Sequence, residues 1–397
     1  MSIIVQKYGG SSVASTEKIK SIAENIAKRK KENSKIVVVV SAMGKTTDQY
    51  IDLAKDISDN PDKRELDVLM STGEMISASL LSMSLNAIGC DSISYSAYQL
   101  DIKTSGLHGK SLIDDINTER IQKSLDEGKV VIVTGFQGIN TDGDITTLGR
   151  GGSDTSAVAL AVKLNGKCEI YTDVDGIYST DPRKYEMAKK LDEIEYEEML
   201  ELASLGAQVM HCRSVELAQK YGVEIYVGRS CSNETGTYIR GGNKMKLEDK
   251  VITGLATSDN DSSITIKDFE SKYISSLFED IATKGISVDM ISQTAPLDGK
   301  VGVSFTVLKE DLDECRKIVG NYSDEKNIIV DNNITKFSLV GLGMKNTSGV
   351  ASKVFKIFNK NSIDVKLITT SEIRITCAIN SQYKMIAINK IAKEFNL

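Results

Sequence analysis

The sequence predicts an α/β domain whose mostly parallel sheet lies between helices in an αβα sandwich, followed by two small ferredoxin-like βαββαβ units. Three observations carry this prediction. Short apolar segments run repeatedly into glycine loops, as at Tyr8-Gly-Gly-Ser-Ser12 and Thr134-Gly-Phe-Gln-Gly138. Residues 36–40 form a β-branched run without alternation, as expected of a strand buried on both faces of a parallel sheet. Past residue 250 this pattern stops and a weak internal repeat begins. Leu277, Phe278, Ile286, Val288, Met290 and Ile291 align with Val354, Phe355, Ile363, Val365, Leu367 and Ile368 at one constant spacing.

Taken in order, residues 3–7 form a short strand, and the helix after its glycine loop places Ile19, Ile22, Ala23 and Ile26 at helical spacing. The loop after the second strand begins at Ser41. Residues 66–70 lead into Ser71-Thr-Gly-Glu74, read as another strand-end loop before a helix, and residues 130–133 end at the Thr134 loop. Asp142-Gly143 signals a two-residue hairpin, so part of the sheet is expected to be antiparallel. Thr147-Leu-Gly-Arg-Gly-Gly-Ser-Asp-Thr-Ser-Ala157 reads as a loop entering a helix, with Ser153 or Asp154 as N-cap. A strand at 170–172 feeds Asp173-Val-Asp-Gly-Ile-Tyr-Ser-Thr-Asp-Pro-Arg183, helices fill 196–221, and a strand follows at 224–227. Alternating strands and helices mean an α/β sandwich, and glycine loops at strand ends belong on one edge, where open α/β sheets place ligands. The domain boundaries are drawn at 1–240, a polar linker at 241–250, a first small domain at 251–332 and a second at 333–397. Residues 251–257 suit pairing with either small domain.

Composition excludes several classes of function. The formal net charge of −6, without a basic tract, argues against a nucleic-acid or membrane-surface partner and leaves small molecules and further copies of the chain. Six scattered cysteines and two histidines support neither a disulfide framework nor a zinc site, so no protein-held metal is expected. No leader and no apolar run of membrane-span length is read, which points to the cytoplasm.

Gly44-Lys-Thr-Thr47 imitates a nucleotide P-loop, but Val39 stands where that motif needs glycine. The stronger signal is a cluster: Lys7, Glu74, Arg150 and Asp154 all fall in loops expected at one sheet edge. Glycines there let backbone amides close on an anion at the positive end of the helix that follows Thr147-Leu-Gly-Arg150.

Val5-Gln-Lys-Tyr-Gly-Gly-Ser-Ser12, Val40-Ser-Ala-Met-Gly-Lys-Thr-Thr47, Ser71-Thr-Gly-Glu74, Gly135-Phe-Gln-Gly138, the Thr147 loop and the stretch from Thr172 to Arg183 together resemble the aspartokinase family, with the amino-acid kinase fold. Past the linker the chain resembles that family's tandem ACT domains, with Gly341-Leu-Gly-Met-Lys-Asn-Thr-Ser-Gly349 and Ile368-Thr-Thr-Ser-Glu-Ile-Arg374 as the second one's signature. The resemblance is to the monofunctional form, in which no dehydrogenase half is expected.

The resemblance implies transfer of the ATP γ-phosphoryl group to the L-aspartate side chain, giving 4-phospho-L-aspartate with Mg2+. This is the first step of lysine, threonine and methionine biosynthesis. It further implies that Lys7 neutralises the transferring group and Asp154 orients Lys7. Arg150 takes the substrate α-carboxylate, Glu74 takes its ammonium, and Ser41 and Thr47 donate nearby. Gly9, Gly10 and Ser153 present amides to the phosphates, while Thr172, Asp173, Tyr178 and Arg183 form the nucleotide wall. An effector amino acid, with lysine preferred over threonine, is expected at Ser287, Asp289, Gln293, Met344, Ser371 and Glu372. Assembly is expected as a homodimer or homotetramer joined edge to edge through the ACT domains.

The chain departs from the family at Gln208, where a nucleotide-contacting lysine is usual. It departs again at Asp268-Phe-Glu-Ser-Lys272, which replaces the glycine loop of the other small domain. The competing readings are a catalytically silent amino-acid sensor and a kinase acting on another amino acid.

Overall fold

The computed structural model describes every residue except 1, 33–34, 207–208 and 243–249. The chain forms two compact units, one of residues 1–177, 190–203 and 208–243, the other of 178–189, 204–207 and 244–397. Besides the short segment 204–207, the sequence boundary at 240 therefore omits residues 178–189, which leave the first unit and pack with the second. They are tied there by the amide of Leu255, which donates to the Ser179 carbonyl at 2.7 Å.

The main sheet of the first unit has eight strands in the order Glu193–Glu195, Thr237–Arg240, Ile225–Arg229, Lys167–Thr172, Ile3–Tyr8, Lys35–Val40, Val130–Thr134 and Ser92–Tyr95. All neighbours run parallel except Ile225–Arg229 and Thr237–Arg240. Lys35–Val40 and Val130–Thr134 are central and buried on both faces, which is why their sequences are unbroken apolar runs. Their registers bring Tyr8, Val40, Thr134 and Tyr171 level, so the loops that follow these strands line one edge. Helix Thr16–Lys30, capped by Ser15, buries Ile19, Ile22, Ala23 and Ile26 against one face. On the other face Gly152–Lys163 is buried along nearly its whole length.

Three local expectations are corrected. Ser71-Thr-Gly-Glu74 is no strand-end loop but the interior of a 25-residue helix, Lys63–Ala87, started by Asp62, whose carboxylate accepts from the Glu65 amide at 3.1 Å. Without a proline between 63 and 87, one glycine is too weak a breaker to stop it. This helix is the one element among the described residues long and apolar enough by length and composition to cross a membrane, yet its inner face, including Asp67 and Glu74, is packed into the first unit. The N-cap of the helix after the Thr147 loop is Gly151, at φ 69°, which leaves Ser153 and Asp154 inside the first turn. The hairpin at Asp142-Gly143 belongs to a separate small sheet, Leu112–Ile116, Ile102–Ser105, Gln137–Ile139 and Ile145–Thr147. Its turn is wider than two residues because the Asn140 side chain accepts from the amides of Asp142 and Asp144 and closes the loop between them.

The second unit holds two four-stranded sheets, each with two helices. Asp261–Glu270, Ile274–Thr283, Val288–Gln293, Lys300–Leu308, Leu312–Gly320 and Ile328–Asp331 make one complete βαββαβ fold. The other is built from Ile334–Val340, Val350–Lys360, Val365–Thr370, Arg374–Asn380 and Lys384–Glu394, and its fourth strand is Gly254–Ser258, paired antiparallel with Ile334–Val340. Residues 251–258, assigned from sequence to the first small domain, thus complete the second, with Leu255 and Ile252 buried in its core.

Candidate functional site

Strand Ile3–Tyr8 sends Lys7 toward the helix Gly152–Lys163, where its ammonium pairs with Asp154 at 2.6 Å, each side chain only 12% exposed. Asp154 in the first turn faces the positive end of its own helix, which stabilises the carboxylate that holds Lys7. The amides of Gly152 and Thr155 are satisfied by Gly149 and Gly151, while those of Ser153 and Asp154 have no acceptor among the described residues. Beside them the loops after the first two strands interlock. The Gly44 amide donates to the Gly10 carbonyl at 3.0 Å, and a Cβ on Gly10 would lie 2.9 Å from the Ala42 carbonyl oxygen. Only glycine fits there. Gly9 is a correction: its amide donates to the Tyr171 carbonyl at 3.2 Å and so is taken up by the sheet edge.

Glu74 reaches the same place from the long helix. Its Oε1 accepts from the Ala42 amide at 2.9 Å, while Oε2 is buried without a hydrogen-bond partner. Burial raises this carboxyl to about 7, against the weaker downward pull of the Ala42 amide. A buried carboxylate with one empty oxygen is matched by a cation supplied from outside. Ser41 and Thr47 are half-buried, Ser41 at the start of the loop after Lys35–Val40, fixed by its amide to the Tyr8 carbonyl at 3.1 Å, and Thr47 in the first turn of the helix Thr46–Ile57. Arg150 is exposed and has no ion-pair partner among the described residues. Lys7, Asp154, Ser41, Thr47, Glu74, Arg150, Gly10 and Ser153 therefore all belong to the loop edge of the first unit and to the three helices that border it.

Thr172 and Asp173 end strand Lys167–Thr172, with the Thr172 hydroxyl donating to Asp173 at 2.9 Å. Tyr178 and Arg183 lie in the segment that packs with the second unit, and Arg183 pairs with Asp181 at 2.9 Å. Gln208, the departure from the family pattern, lies outside the described residues.

Sequence reasoning missed three groups. Asp67 lies fully buried on the helix of Glu74 and collects hydrogen bonds from two loops. Its signal was an aspartate inside the apolar run Leu66 to Met70. Arg213 donates to the carbonyls of Leu148 and Ser111 at 2.9 and 2.8 Å. Phe136 holds φ 70°, an uncommon conformation for an aromatic residue, and its amide donates to the Ser156 hydroxyl at 3.1 Å. Beneath Lys7, on the other face of the sheet, Tyr8 stacks on Tyr171 at 5.1 Å, and Glu169 accepts from Arg29, Gln6 and Tyr171.

In the second unit the residues expected at an effector site fall in two groups. Ser287, Asp289 and Gln293 lie on or beside the edge strand Val288–Gln293, whose alternation is broken by a bulge between Asp289 and Ser292, with Met290 at φ 49°. Met344, Ser371 and Glu372 lie at one end of the other sheet, where Met344 packs on the core and Glu372 pairs with Lys345 at 3.1 Å. Asp289 does not stand free as expected. Its carboxylate is 2.9 Å from the buried ammonium of Lys336, which also holds Asp261 at 2.8 Å. Burial alone would pull Lys336 down, but the two carboxylates keep it above the usual lysine range. Met290, Ile334, Leu367 and Ala378 form a small apolar cluster that joins the two sheets within one chain.

Residues 2–229 match the amino acid kinase family and residues 337–395 an ACT domain. An aspartokinase of Geobacillus stearothermophilus is 44% identical over 402 residues, covering 100% of this chain and 98% of that protein. An aspartate kinase of Pseudomonas putida is 41% identical over 403 residues with the same coverage. Among solved structures, E. coli aspartokinase III in complex with aspartate and ADP is 23% identical and superposes with a TM-score of 0.83, covering 98% of this chain and 99% of that one. The same protein has been solved with lysine and aspartate, with a TM-score of 0.79 at 23% identity over 99% of each chain. Full-length identity at this level, on a fold with the kinase domain first and paired small domains after it, means that the chain belongs to the aspartokinase family.

Proposed function

We propose that this chain catalyses attack of a side-chain carboxylate oxygen of L-aspartate on the γ-phosphorus of ATP. The bond to the β-phosphate oxygen breaks, and ADP and 4-phospho-L-aspartate leave. The observation that carries this reading is the pairing, at one sheet edge, of the Lys7–Asp154 couple with the half-empty carboxyl of Glu74. An aspartate side chain, at about 4 in water, is ionised at neutral pH. No general base is needed, and catalysis reduces to positioning and charge stabilisation. Asp154 fixes the Lys7 ammonium, which neutralises charge on the transferring group. The free amides of Ser153 and Asp154, at a helix N-terminus, suit phosphate oxygens. Glu74 takes the substrate ammonium through Oε2, and Arg150 takes the α-carboxylate in a bidentate pair. Ser41 donates from the intervening loop and Thr47 from the first turn of the helix Thr46–Ile57.

The described residues contain no cluster of three or more His, Cys, Asp or Glu side chains that would cage a metal. Magnesium would arrive with the nucleotide, held largely by phosphate oxygens and water. Thr172 and Asp173 would form the nucleotide wall within the first unit. Gly10 contributes its lack of a side chain. A cytoplasmic enzyme, assembled as a homodimer or homotetramer through its ACT domains and inhibited there by an amino acid, with lysine the first choice, completes the reading.

Trapping the acyl phosphate with hydroxylamine, with aspartate and glutamate side by side, is the decisive test. Aspartate alone should give product, and Lys7→Met should lower turnover at least about a hundredfold, in line with losing one charge-stabilising donor. Product from glutamate, or none from either, would replace this reading with one of its competitors.

A further inference from the structure

The exposed Arg150 side chain pairs with no acid among the described residues, so its position is set by the backbone that carries it. That backbone is unusually well anchored, and the anchor is Asp67. The Thr147 amide and the Gly109 amide both donate to Asp67 Oδ2 at 3.0 Å, His108 Nδ1 lies 2.9 Å from the same oxygen, and the Thr147 hydroxyl donates to Oδ1 at 2.5 Å. Four donors thus converge on one buried carboxylate, and they come from two loops, 107–111 and 147–151. The loops also touch each other directly. Ser111 donates its amide to the Thr147 carbonyl at 3.0 Å, and a Cβ on Gly149, itself at φ 78°, would come within 2.8 Å of the Gly109 carbonyl oxygen. Arg213 closes the arrangement from outside through the carbonyls of Leu148 and Ser111.

Asp67 precedes Glu74 by seven residues on one continuous helix, which puts both on one face about 10 Å apart along the axis. One rigid helix therefore carries Glu74 directly and, three residues beyond the Thr147 that Asp67 grips, sets the start of the segment that presents Arg150. We propose that Asp67 is a positioning residue for the substrate: it fixes the distance between the group that takes the amino acid's ammonium and the group that takes its α-carboxylate, with Thr147 and His108 as its partners. This rests on the roles given above to Arg150 and Glu74. An α-amino acid presents its ammonium and carboxylate on one carbon, so a site that reads both must hold its cation and anion at a fixed separation. One helix that carries the anion directly and anchors the segment bearing the cation supplies such a ruler. Displacement on the order of 1 Å in groups of this kind costs up to about a hundredfold.

The test is a double-mutant cycle on the full chain, with KM for aspartate and for ATP measured separately. Asp67→Asn keeps the shape, removes the charge and leaves one oxygen to accept. Arg150→Ala removes the group it is held to position. Asp67→Asn should raise the aspartate KM roughly tenfold, leave that for ATP within about twofold, and have almost no further effect in the Arg150→Ala background. Thr147→Val, which deletes one bond and keeps the volume, should move the aspartate KM in the same direction by a smaller factor, also only while Arg150 is present. An equal effect of Asp67→Asn with and without Arg150, or an ATP KM that rises alongside, would overturn the proposal and leave Asp67 as a purely structural carboxylate. An aspartate KM unaffected by Arg150→Ala alone would sink the role of Arg150, and the proposal with it. Should Asp67→Asn fail to fold, Thr147→Val decides by the same criterion.

Discussion

Glu74 offers the sharpest check on the electrostatics of the site, because the empty oxygen that suits a substrate ammonium also makes the ligand-free protein pH-sensitive. Burial lifts its carboxyl from 4.5 to about 7, which corresponds to about 3 kcal/mol between its two protonation states. The folded state therefore holds a proton that the unfolded state releases across this window. Below about pH 4.5 both states are protonated and the group adds no penalty. As pH rises toward 7 the folded protein loses stability relative to a variant without the charge, and above 7 the loss levels off. In Glu74→Gln the amide oxygen can still accept from Ala42, and the titration is gone. Urea unfolding of ligand-free wild type and Glu74→Gln at several pH values between 5 and 8 should show the variant gaining on the wild type as pH rises, by up to about 3 kcal/mol. Saturating aspartate should shrink the pH dependence of the wild type, since an ammonium beside Oε2 favours the ionised form. A difference between the two proteins that stays constant from pH 5 to 8 would refute the argument that Glu74 is uncompensated.

Arg150→Lys should raise the aspartate KM at least about tenfold and leave the ATP KM unchanged, because a lysine cannot form the bidentate pair; steady-state kinetics with each substrate varied decides it. Gly73→Ala would gain about 1 kcal/mol of helix propensity. Its Cβ, however, would lie 2.7 Å from that of Ala42, so thermal unfolding should show a net loss of stability and kinetics a weaker grip on aspartate. Lysine at millimolar levels should inhibit the wild type and spare Glu372→Ala, whose basal activity should be normal; a wild type indifferent to lysine removes this account of control and leaves the kinase reading intact.

Much of the catalytic unit was legible because local and global signals agree there. Unbroken β-branched runs marked the central strands at Lys35–Val40 and Val130–Thr134, and glycines marked the edge at which loops and ligand meet. The pairing of Lys7 with Asp154 came from the family resemblance, and the two lie 2.6 Å apart. What stayed hidden depends on contacts between segments far apart in the chain. Glu74 looked like a loop residue since Ser71-Thr-Gly carries turn chemistry, yet the helix continues because Gly73 is needed for close approach to Ala42 rather than for a turn. Asp67 could not be recognised as an anchor because its four donors come from residues 108, 109 and 147. The short strands Ser92–Tyr95, Ile102–Ser105 and Leu112–Ile116 carry too few residues to show a period.

The small domains show the same limit more sharply, and there it changes the physical argument about control. Strand Gly254–Ser258 enters the second sheet before the chain has made the first, so residues 261–331 form an insertion within the other fold. Cutting between 332 and 333 would leave the second domain without its fourth strand, and the two must fold together. They are also joined by charge: Lys336 in the second sheet is held by Asp261 and Asp289 of the first, Lys366 pairs with Asp331, and Lys384 pairs with Asp259. A buried ion cluster of this kind adds little net stability, yet removing one partner leaves an uncompensated charge. Asp289 is thus both half of an internal pair and, being partly exposed, the member that an external ammonium can reach. A cationic effector drawing on Asp289 would weaken its hold on Lys336 and so loosen the seam between the sheets. The free energy available for that change is limited to the difference in the effector's affinity for the two arrangements. Asp289→Ala must then alter the seam even without effector, whereas Glu372, whose ion-pair partner among the described residues is the exposed Lys345, can be lost without disturbing it.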